Sequence, residues 1–344
     1  MMQSVLHSRF VRIAVFLMVV FVGGAGLYIW HWLHAPVKVF GQSVELERGE
    51  SLYGITKKYP QVFAGNKARF WVLYARLSGL TDIKRGEYEM PPELSPAELL
   101  VLFNSGKVKQ RTLTLVEGIT LKQALQQIAD NPLLAPSKLP INIDNFKSRF
   151  ELDEINPEGW LFPDTYAYSK QTTGWDLIDQ AHRKMKSVLA EEWSARSLEL
   201  PYESAYEALI MASIVEKETG VPYERAEIAG VFVRRLQKPM RLQTDPTVIY
   251  GLGEAYQGDI KRKHLRQKTD YNTYVIKGLP PTPIALPGRE AIHAALHPAE
   301  GTALFFVAKG DGSHQFSDTL AEHQAAVRKY QLQRRSDYRS SQLK

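Results

Sequence analysis

Two glutamates, Glu216 and Glu218, lie in the run ALIMASIVEKETG, whose residue types and spacing could support acid–base chemistry. From residue 205 the chain holds neither Gly nor Pro until Gly220 and Pro222, which predicts a helix that stops there. At about 3.6 residues per turn, Ile210, Met211, Ile214 and Val215 share one arc of that helix, with Glu218 in the middle of it. Glu216 falls roughly opposite, stacked over Ala212 and Ser213. One of the two carboxyls is therefore aimed at the apolar side, in the last helical turn. Desolvation favours the protonated acid there, and the negative end of the helix acts in the same direction. A carboxyl held protonated near neutral pH can act as a general acid. Pairing with Arg234 or Arg235 is the alternative reading of a half-buried glutamate at this position.

A second amphipathic helix is expected over residues 224–236, leading into MRLQTDPTVIYG at 240–251. That run mixes amides, hydroxyls and an aromatic, with little that only fills a core. Such side chains suit a sugar site, where amides and hydroxyls pair with hydroxyl groups and an aromatic covers the ring face. Gln243, Thr244 and Asp245, with Asn272 and Tyr274 of a later loop, are the candidates for holding substrate. No cofactor is expected. The absence of cysteine excludes disulfides, cysteine nucleophiles and thiolate metal sites. His293 and His297 stand at i, i+4 spacing, but no HExxH surrounds them and Pro298 reads as the end of their helix, so no metal site is expected. Ser213 lacks a G-x-S-x-G elbow, and no nucleotide fingerprint is present.

The blocks SIVEKET (213–219) and RLQTDPTVIYG (241–251) resemble the YceG-like family of endolytic murein transglycosylases. EGWLFPDTY (158–166), YNTY (271–274), GLPPTPI (278–284) and the HP pair His297-Pro298 match in the same order, so the resemblance covers roughly residues 115–330. It implies a lyase that cleaves the MurNAc–GlcNAc β-1,4 bond within peptidoglycan glycan strands and leaves 1,6-anhydro-MurNAc ends. Such a reaction consumes no water, so a single carboxyl, Glu218, can serve as acid and then as base. The substrate's own N-acetyl group is the implied helper at the developing positive charge. The resemblance also implies peptidoglycan synthases (penicillin-binding proteins) as partners, and a part in ending glycan elongation. A hydrolytic muramidase would differ only in the product end. A membrane-tethered glycan-binding scaffold without activity is the reading from another class, and a costly buried carboxyl argues against it.

These residues need elements to position them. Residues 13–30 are 18 uncharged residues, long enough to cross a bilayer. Arg9 and Arg12 precede the run, and Tyr28, Trp30 and Trp32 form an aromatic belt at its far end, which predicts a cytoplasmic N-terminus. A cleaved signal peptide is the alternative, but the run exceeds a usual h-region and no A-x-A site follows. From 39 to 105 a small α/β unit is expected: a strand in VFGQSVELERG with a turn at Arg48-Gly49, a helix capped by Ser51, a helix over 68–78, a strand over 86–90 and a helix opened by Ser95 and Glu98. Its opening VELERGESLYGIT resembles a LysM module, which would contact glycan or serve only as a spacer.

The larger part opens with the strand TLTLVEG and a helix capped by Thr120, followed by an irregular Pro-rich stretch over 131–145 and a helical piece over 146–155. Within EGWLFPDTY, Trp160 and Phe162 read as core, whereas Tyr166 and Asp164 could face a cleft. A long helix is expected over 175–195. Pro280, Pro281, Pro283 and Pro287 predict a loop over the surface or a cleft. A helix over 289–296, the strand ALFFVAKG, a turn at Gly310–Gly312 and a helix over 319–330 complete it, with a polar tail from Gln331.

The fold class expected is α+β: an N-terminal transmembrane helix, a small LysM-like α/β module and a larger mixed α+β catalytic domain. The boundaries are a cytoplasmic N-terminus over 1–12, the transmembrane helix over 13–32, the periplasmic module over 33–108 and the catalytic domain over 109–344. The net charge of +6 suits an anionic surface such as phospholipid or acidic wall polymer; no nucleic-acid motif is present. A single-pass inner-membrane protein of this topology exposes residues 35–344 to protease added to spheroplasts. Protection of that part in intact spheroplasts would reverse the orientation.

Overall fold

The uncharged run continues in both directions as a single helix, α1 (Met2–His34), because no proline interrupts it. Its span Phe10–His34 contains an 18-residue stretch of mean hydropathy 2.3, and none of that stretch is buried among the described residues. The computed structural model describes residues 2–38, 43–47, 49–152 and 156–332. It is a mixed α+β structure in two compact units, Met1–Arg111 with Ser169–Gln171, and Thr112–Tyr168 with Thr172–Lys344.

In the first unit, β1 (Val37–Lys38) lies beyond α1, and then β2 (Val44–Leu46) leads into α2 (Leu52–Lys58). Ser51 Oγ accepts the Gly54 N–H, so the expected cap is in place. The helix α3 (Lys67–Leu77) is followed by β3 (Gly86–Tyr88), β4 (Glu93–Leu94) and α4 (Pro96–Ser105). Ser95 and Glu98 form the reciprocal capping box expected from their spacing. β1 pairs antiparallel with β4, and β2 with β3. Leu46, Ile55, Trp71, Tyr88, Leu100 and Phe103 form the core, and Trp32 and Leu33 from the end of α1 are buried in the same cluster. Arg48, of the expected turn, and residues 39–42, of the expected strand, lie outside the described residues.

The second unit begins within β5 (Arg111–Thr114), followed by α5 (Leu121–Ala129) under a Thr120/Gln123 capping box, and α6 (Ile143–Phe150). A strand not foreseen, β6 (Thr165–Tyr168), pairs with β5. Next come α7 (Gly174–Ser194), α8 (Ala205–Glu218) and α9 (Arg225–Gln237), then α10 (Asp245–Leu252), α11 (Arg262–Arg266) and α12 (Arg289–Leu296). The antiparallel hairpin of β7 (Phe305–Ala308) and β8 (His314–Ser317) leads to α13 (Leu320–Val327). Only Gln331 and Leu332 of the polar tail are described.

α8 is the centre of this unit, with α7, α9, α10 and α12 packed around it. Every residue from Ala208 to Val215 is buried. The expected apolar arc of Ile210, Met211, Ile214 and Val215 is buried, but so are Ala212 and Ser213 opposite it, so this stretch is enclosed on all sides. Of the two paths expected for the proline-rich loop, surface or cleft, residues 282–288 do not take the surface: they are buried, and Ile284 lines a cavity. Buried backbone demands partners. Ile284 N donates to Ser213 Oγ at 2.9 Å, Leu286 N to Ile119 O at 2.8 Å and Gly288 N to Glu216 Oε2 at 3.1 Å. Pro283 and Pro287 carry no N–H to satisfy, which suits them to this path. Tyr166 and Asp164 do not face a cleft: Tyr166 is buried with its hydroxyl on Phe162 O, and Asp164 pairs with Lys184 on α7.

Gly230, inside α9, lets the backbone after α12 come close. A Cβ there would stand 2.5 Å from Ala299 O, an oxygen that accepts from Arg234 Nη1 at 2.9 Å. Gly to Ala inside a helix normally gains about 1 kcal/mol. Here contact with a backbone oxygen outweighs that gain, and Gly230→Ala is expected to lose ~1–3 kcal/mol in urea unfolding. A variant as stable as the parent would contradict this packing.

Candidate active site

Glu218 is the last residue of α8. Thr219 takes extended backbone (φ −143°, ψ 136°), and its side-chain oxygen accepts the Val221 N–H at 2.9 Å, so the chain turns sharply away. The Glu218 side chain is left half-buried on the wall of a cavity of about 810 Å³, which Gln243, Asp245, Tyr274, Arg235, Phe305 and His314 also line. Glu218 Oε1 accepts from Thr244 Oγ1. Thr244 is itself fixed by two other buried threonines. Its N–H donates to Thr273 Oγ1 at 3.0 Å, its carbonyl accepts from Thr247 Oγ1 at 2.8 Å, and the Thr247 and Thr273 hydroxyls are 2.9 Å apart. Just before it, Gln243 has φ 57°, left-handed backbone that a non-glycine residue adopts only when its surroundings hold it there. Gln243 N donates to Thr273 O at 3.2 Å and so helps to hold that conformation.

No arginine neutralises Glu218 among the described residues. Arg234 donates to Ala303 O and Ala299 O, and Arg235 to Leu304 O at 2.7 Å and Leu242 O at 2.8 Å. The ion pair weighed from sequence is thus replaced by a hydroxyl. Burial raises the Glu218 carboxyl to about 7; the Thr244 hydrogen bond opposes this, and the negative charge of Asp245 adds to it. Tyr274 donates to Asp245 Oδ1 at 2.7 Å, and its phenol is pushed up first by burial and then by Asp245. The site therefore holds an acid half-protonated near neutrality beside a second carboxylate oriented by a tyrosine. Glu216 points elsewhere, to the Gly288 N–H.

Of the substrate-binding candidates, Gln243, Asp245 and Tyr274 line the cavity with Glu218. Thr244 stands behind Glu218 as its hydrogen-bond donor. Asn272 is buried and serves the loop: its Nδ2 donates to Gln267 O and His264 O, and its Oδ1 accepts the Tyr274 N–H. It positions Tyr274 and does not line the cavity. Sequence reasoning missed the contribution of the C-terminal hairpin, Phe305 and His314, which no local pattern ties to α8.

It also missed Glu158, in the EGWLFPDTY block. Glu158 is buried, accepts from Leu121 N at 2.7 Å, Gly159 N at 3.2 Å and Tyr250 OH at 3.1 Å, and is raised by burial to about 7. It lines a neighbouring cavity of about 1100 Å³ that shares Lys217, Pro246 and Ile249 with the first. His293 and His297 gain a third ligand-type neighbour that their spacing could not show: Glu192 of α7, with potential ligand atoms of all three within 4.8 Å of one another. That carboxylate already accepts from Arg289 Nη1 and is 2.8 Å from His293 Nδ1.

A raised carboxyl, paired with a hydroxyl and facing a polar and aromatic cavity, is the layout of an enzyme that works by proton transfer. The chain belongs to the YceG-like family, whose profile matches residues 44–329. A Bacillus subtilis (strain 168) protein named endolytic murein transglycosylase is 30% identical over 331 residues, 90% of this chain and 91% of its own length. A Streptococcus pneumoniae D39 protein of the same name is 28% identical over 74% of this chain, which spans 52% of that relative. The crystal structure of a yceG-like protein from Listeria monocytogenes aligns with a TM-score of 0.50 and 29% identity, over 85% of this chain and 99% of that one.

The raised Glu158 acid has a consequence for stability. Its folded-state value, about 7, lies above the ordinary 4.5, so its contribution is complete below the ordinary value and is lost as pH rises through about 7. Glu158→Gln removes this dependence. The variant is expected to lose less unfolding free energy than the parent between about pH 5 and about pH 8. Equal losses in the two proteins would place the titration elsewhere.

Proposed function

We propose that the protein is an endolytic peptidoglycan lytic transglycosylase that cleaves MurNAc–GlcNAc β-1,4 bonds within nascent glycan strands. The observation that carries the reading is Glu218: a carboxyl raised to about 7 on a cavity wall, with Thr244 and no cation as its partner. Glu218 protonates the glycosidic oxygen. As carboxylate it then takes the proton from the C6 hydroxyl that attacks C1, so a 1,6-anhydro-MurNAc end forms and no water is consumed. An acid that becomes the base within one turnover works best with a pKa near the working pH. Asp245, held by Tyr274, puts negative charge in the same cavity to offset the oxocarbenium-like charge that develops beside Glu218. Gln243 and Tyr274 supply an amide and an aromatic face for sugar rings.

The names of the relatives support this reaction class, and α1 supports a tether that keeps the enzyme beside the membrane where strands are made. We assign 1–12 to the cytoplasm, 13–32 to the membrane span, 33–108 to a LysM-like periplasmic module and 109–344 to the catalytic domain. Peptidoglycan synthases are the partners this placement suits.

Glu218→Gln keeps size and hydrogen-bonding capacity but removes the transferable proton. It is expected to fold and to lose ~10²–10⁴-fold in turnover. Glu216→Gln keeps more activity, since Glu216 faces Gly288 and not the cavity. In the parent, kcat/KM falls as pH rises through about 7, where the Glu218 acid is lost. Release of anhydro-ended fragments from peptidoglycan measures both, with circular dichroism as the control for folding. Near-parental cleavage by Glu218→Gln would overturn the mechanism.

A further inference from the structure

The outward face of α3 is apolar. Phe70, Leu73 and Leu77, at i, i+3 and i+7, share one side of the helix and are 36%, 53% and 79% exposed. Trp71, Val72 and Ala75 occupy the opposite side and are buried in the core of the first unit. An ordinary surface helix reverses this pattern and turns charge outward. Here the charged residues flank the apolar stripe instead, with Arg69 and Arg76 along one edge and Lys67 along the other.

The position of α3 explains the stripe. α3 and the end of α1 touch directly: the Lys67 ammonium lies 5.5 Å from the Trp32 ring centroid, and the His34 and Tyr74 rings meet edge to face at 6.2 Å. Trp32 also packs edge-on against Phe63 at 6.1 Å, and Trp32 and Leu33 are buried in the core of this unit, so α1 and α3 belong to one packed body. A helix rises about 1.5 Å per residue, so Trp32 and His34 stand only ~3–6 Å beyond Trp30, the end of the uncharged span. The headgroup layer on each side of the hydrocarbon core is itself about 5–8 Å deep. Lys67 and Tyr74 of α3, which touch Trp32 and His34, therefore stand at that layer once α1 crosses a bilayer. An exposed apolar stripe with cationic edges is what such a position favours.

We propose that α3 is an interfacial helix: Phe70, Leu73 and Leu77 insert into the acyl boundary of an anionic phospholipid leaflet while Lys67, Arg69 and Arg76 meet the headgroups. The inference rests on reading α1 as a membrane anchor and is independent of the reaction catalysed. Its consequence is a first unit seated on the membrane at two places, the span and α3, in place of one swinging on a single tether.

The chain has no cysteine, so single cysteines report cleanly. Full-length protein carrying Leu73→Cys or Leu77→Cys, labelled with a nitroxide, is reconstituted in phosphatidylglycerol/phosphatidylethanolamine vesicles. Accessibility to oxygen, which partitions into lipid, is compared with accessibility to a water-soluble nickel chelate. Val20→Cys in α1 is the membrane reference. Lys107→Cys, exposed just past the far end of α4, is the aqueous one. The expected result is an oxygen-to-nickel ratio at 73 and 77 several-fold above that at 107. A ratio equal to that at 107, with Val20 still lipid-like, overturns the proposal and leaves the anchor standing. Protection of 73 and 77 from both reagents means that protein covers the stripe and also overturns it. Nickel access at Val20 removes the anchor and this inference together.

Discussion

Desolvation of one carboxyl at the end of an enclosed helix is the constraint on which the second unit depends. α8 is enclosed from Ala208 to Val215, and its last residue stands half-buried on the cavity wall against the buried Thr244. Glu218 must therefore be satisfied where it stands. A nearby arginine would have satisfied it as an anion and held it well below neutrality. Arg234 and Arg235 are instead bonded to backbone carbonyls around the C-terminal hairpin and the start of the 241–244 segment. What meets Glu218 is a neutral hydroxyl, which stabilises the carboxylate by far less than a guanidinium does.

That arrangement places demands on the surrounding chain, and those demands are met by backbone pairing. The Thr247 and Thr273 hydroxyls tie the Thr244 backbone, just before α10, to the loop before residue 275, and the left-handed Gln243 makes the approach possible. The loop through 282–288 crosses the interior beside α8, with its N–H groups on Ser213, Ile119 and Glu216. Glu216 and Glu218 thus serve opposite ends. One secures buried backbone as an acceptor, and the other is left available for proton transfer. A buried polar network of this kind is rigid only when all of its members are paired, as these are.

Much of this was legible in the sequence, and what was legible was local. The helix from 205, its stop at Gly220, the Ser51, Ser95 and Thr120 caps and the 18-residue apolar run follow from side-chain chemistry within a few residues. The amphipathic argument that singled out Glu218 chose the residue that lines the cavity, but for an incomplete reason, because α8 is buried on every side and no hydrophobic face distinguishes the two glutamates. What distinguishes them is tertiary: Thr244 is 26 residues from Glu218 and Gly288 is 72 from Glu216. Asn272, expected among the substrate-binding residues, is bonded within its own loop, and that too was hidden because its partners depend on how the 264–274 segment folds back on itself. Glu158 and the Glu192–His293–His297 group were invisible because each is assembled across about 35 to 105 residues from chain segments that no spacing rule connects. Of the surface or cleft path expected for the proline-rich loop, the surface half, drawn from the rule that prolines usually mark surfaces, fails. Here they suit a buried path by removing donors that the interior would have to satisfy.

The central claim is that Glu218 remains protonated up to neutrality in the folded protein. Difference infrared spectroscopy of parent against Glu218→Gln, recorded as a pH titration, isolates the carbonyl stretch of that one carboxylic acid from Glu158 and all others. The expected result is a protonated-acid band that disappears with a midpoint near pH 7, where burial has raised this group. A band already lost at the ordinary carboxylate value of 4.5 would mean that Glu218 is a solvated or ion-paired anion, and the proposed proton transfer would have no donor.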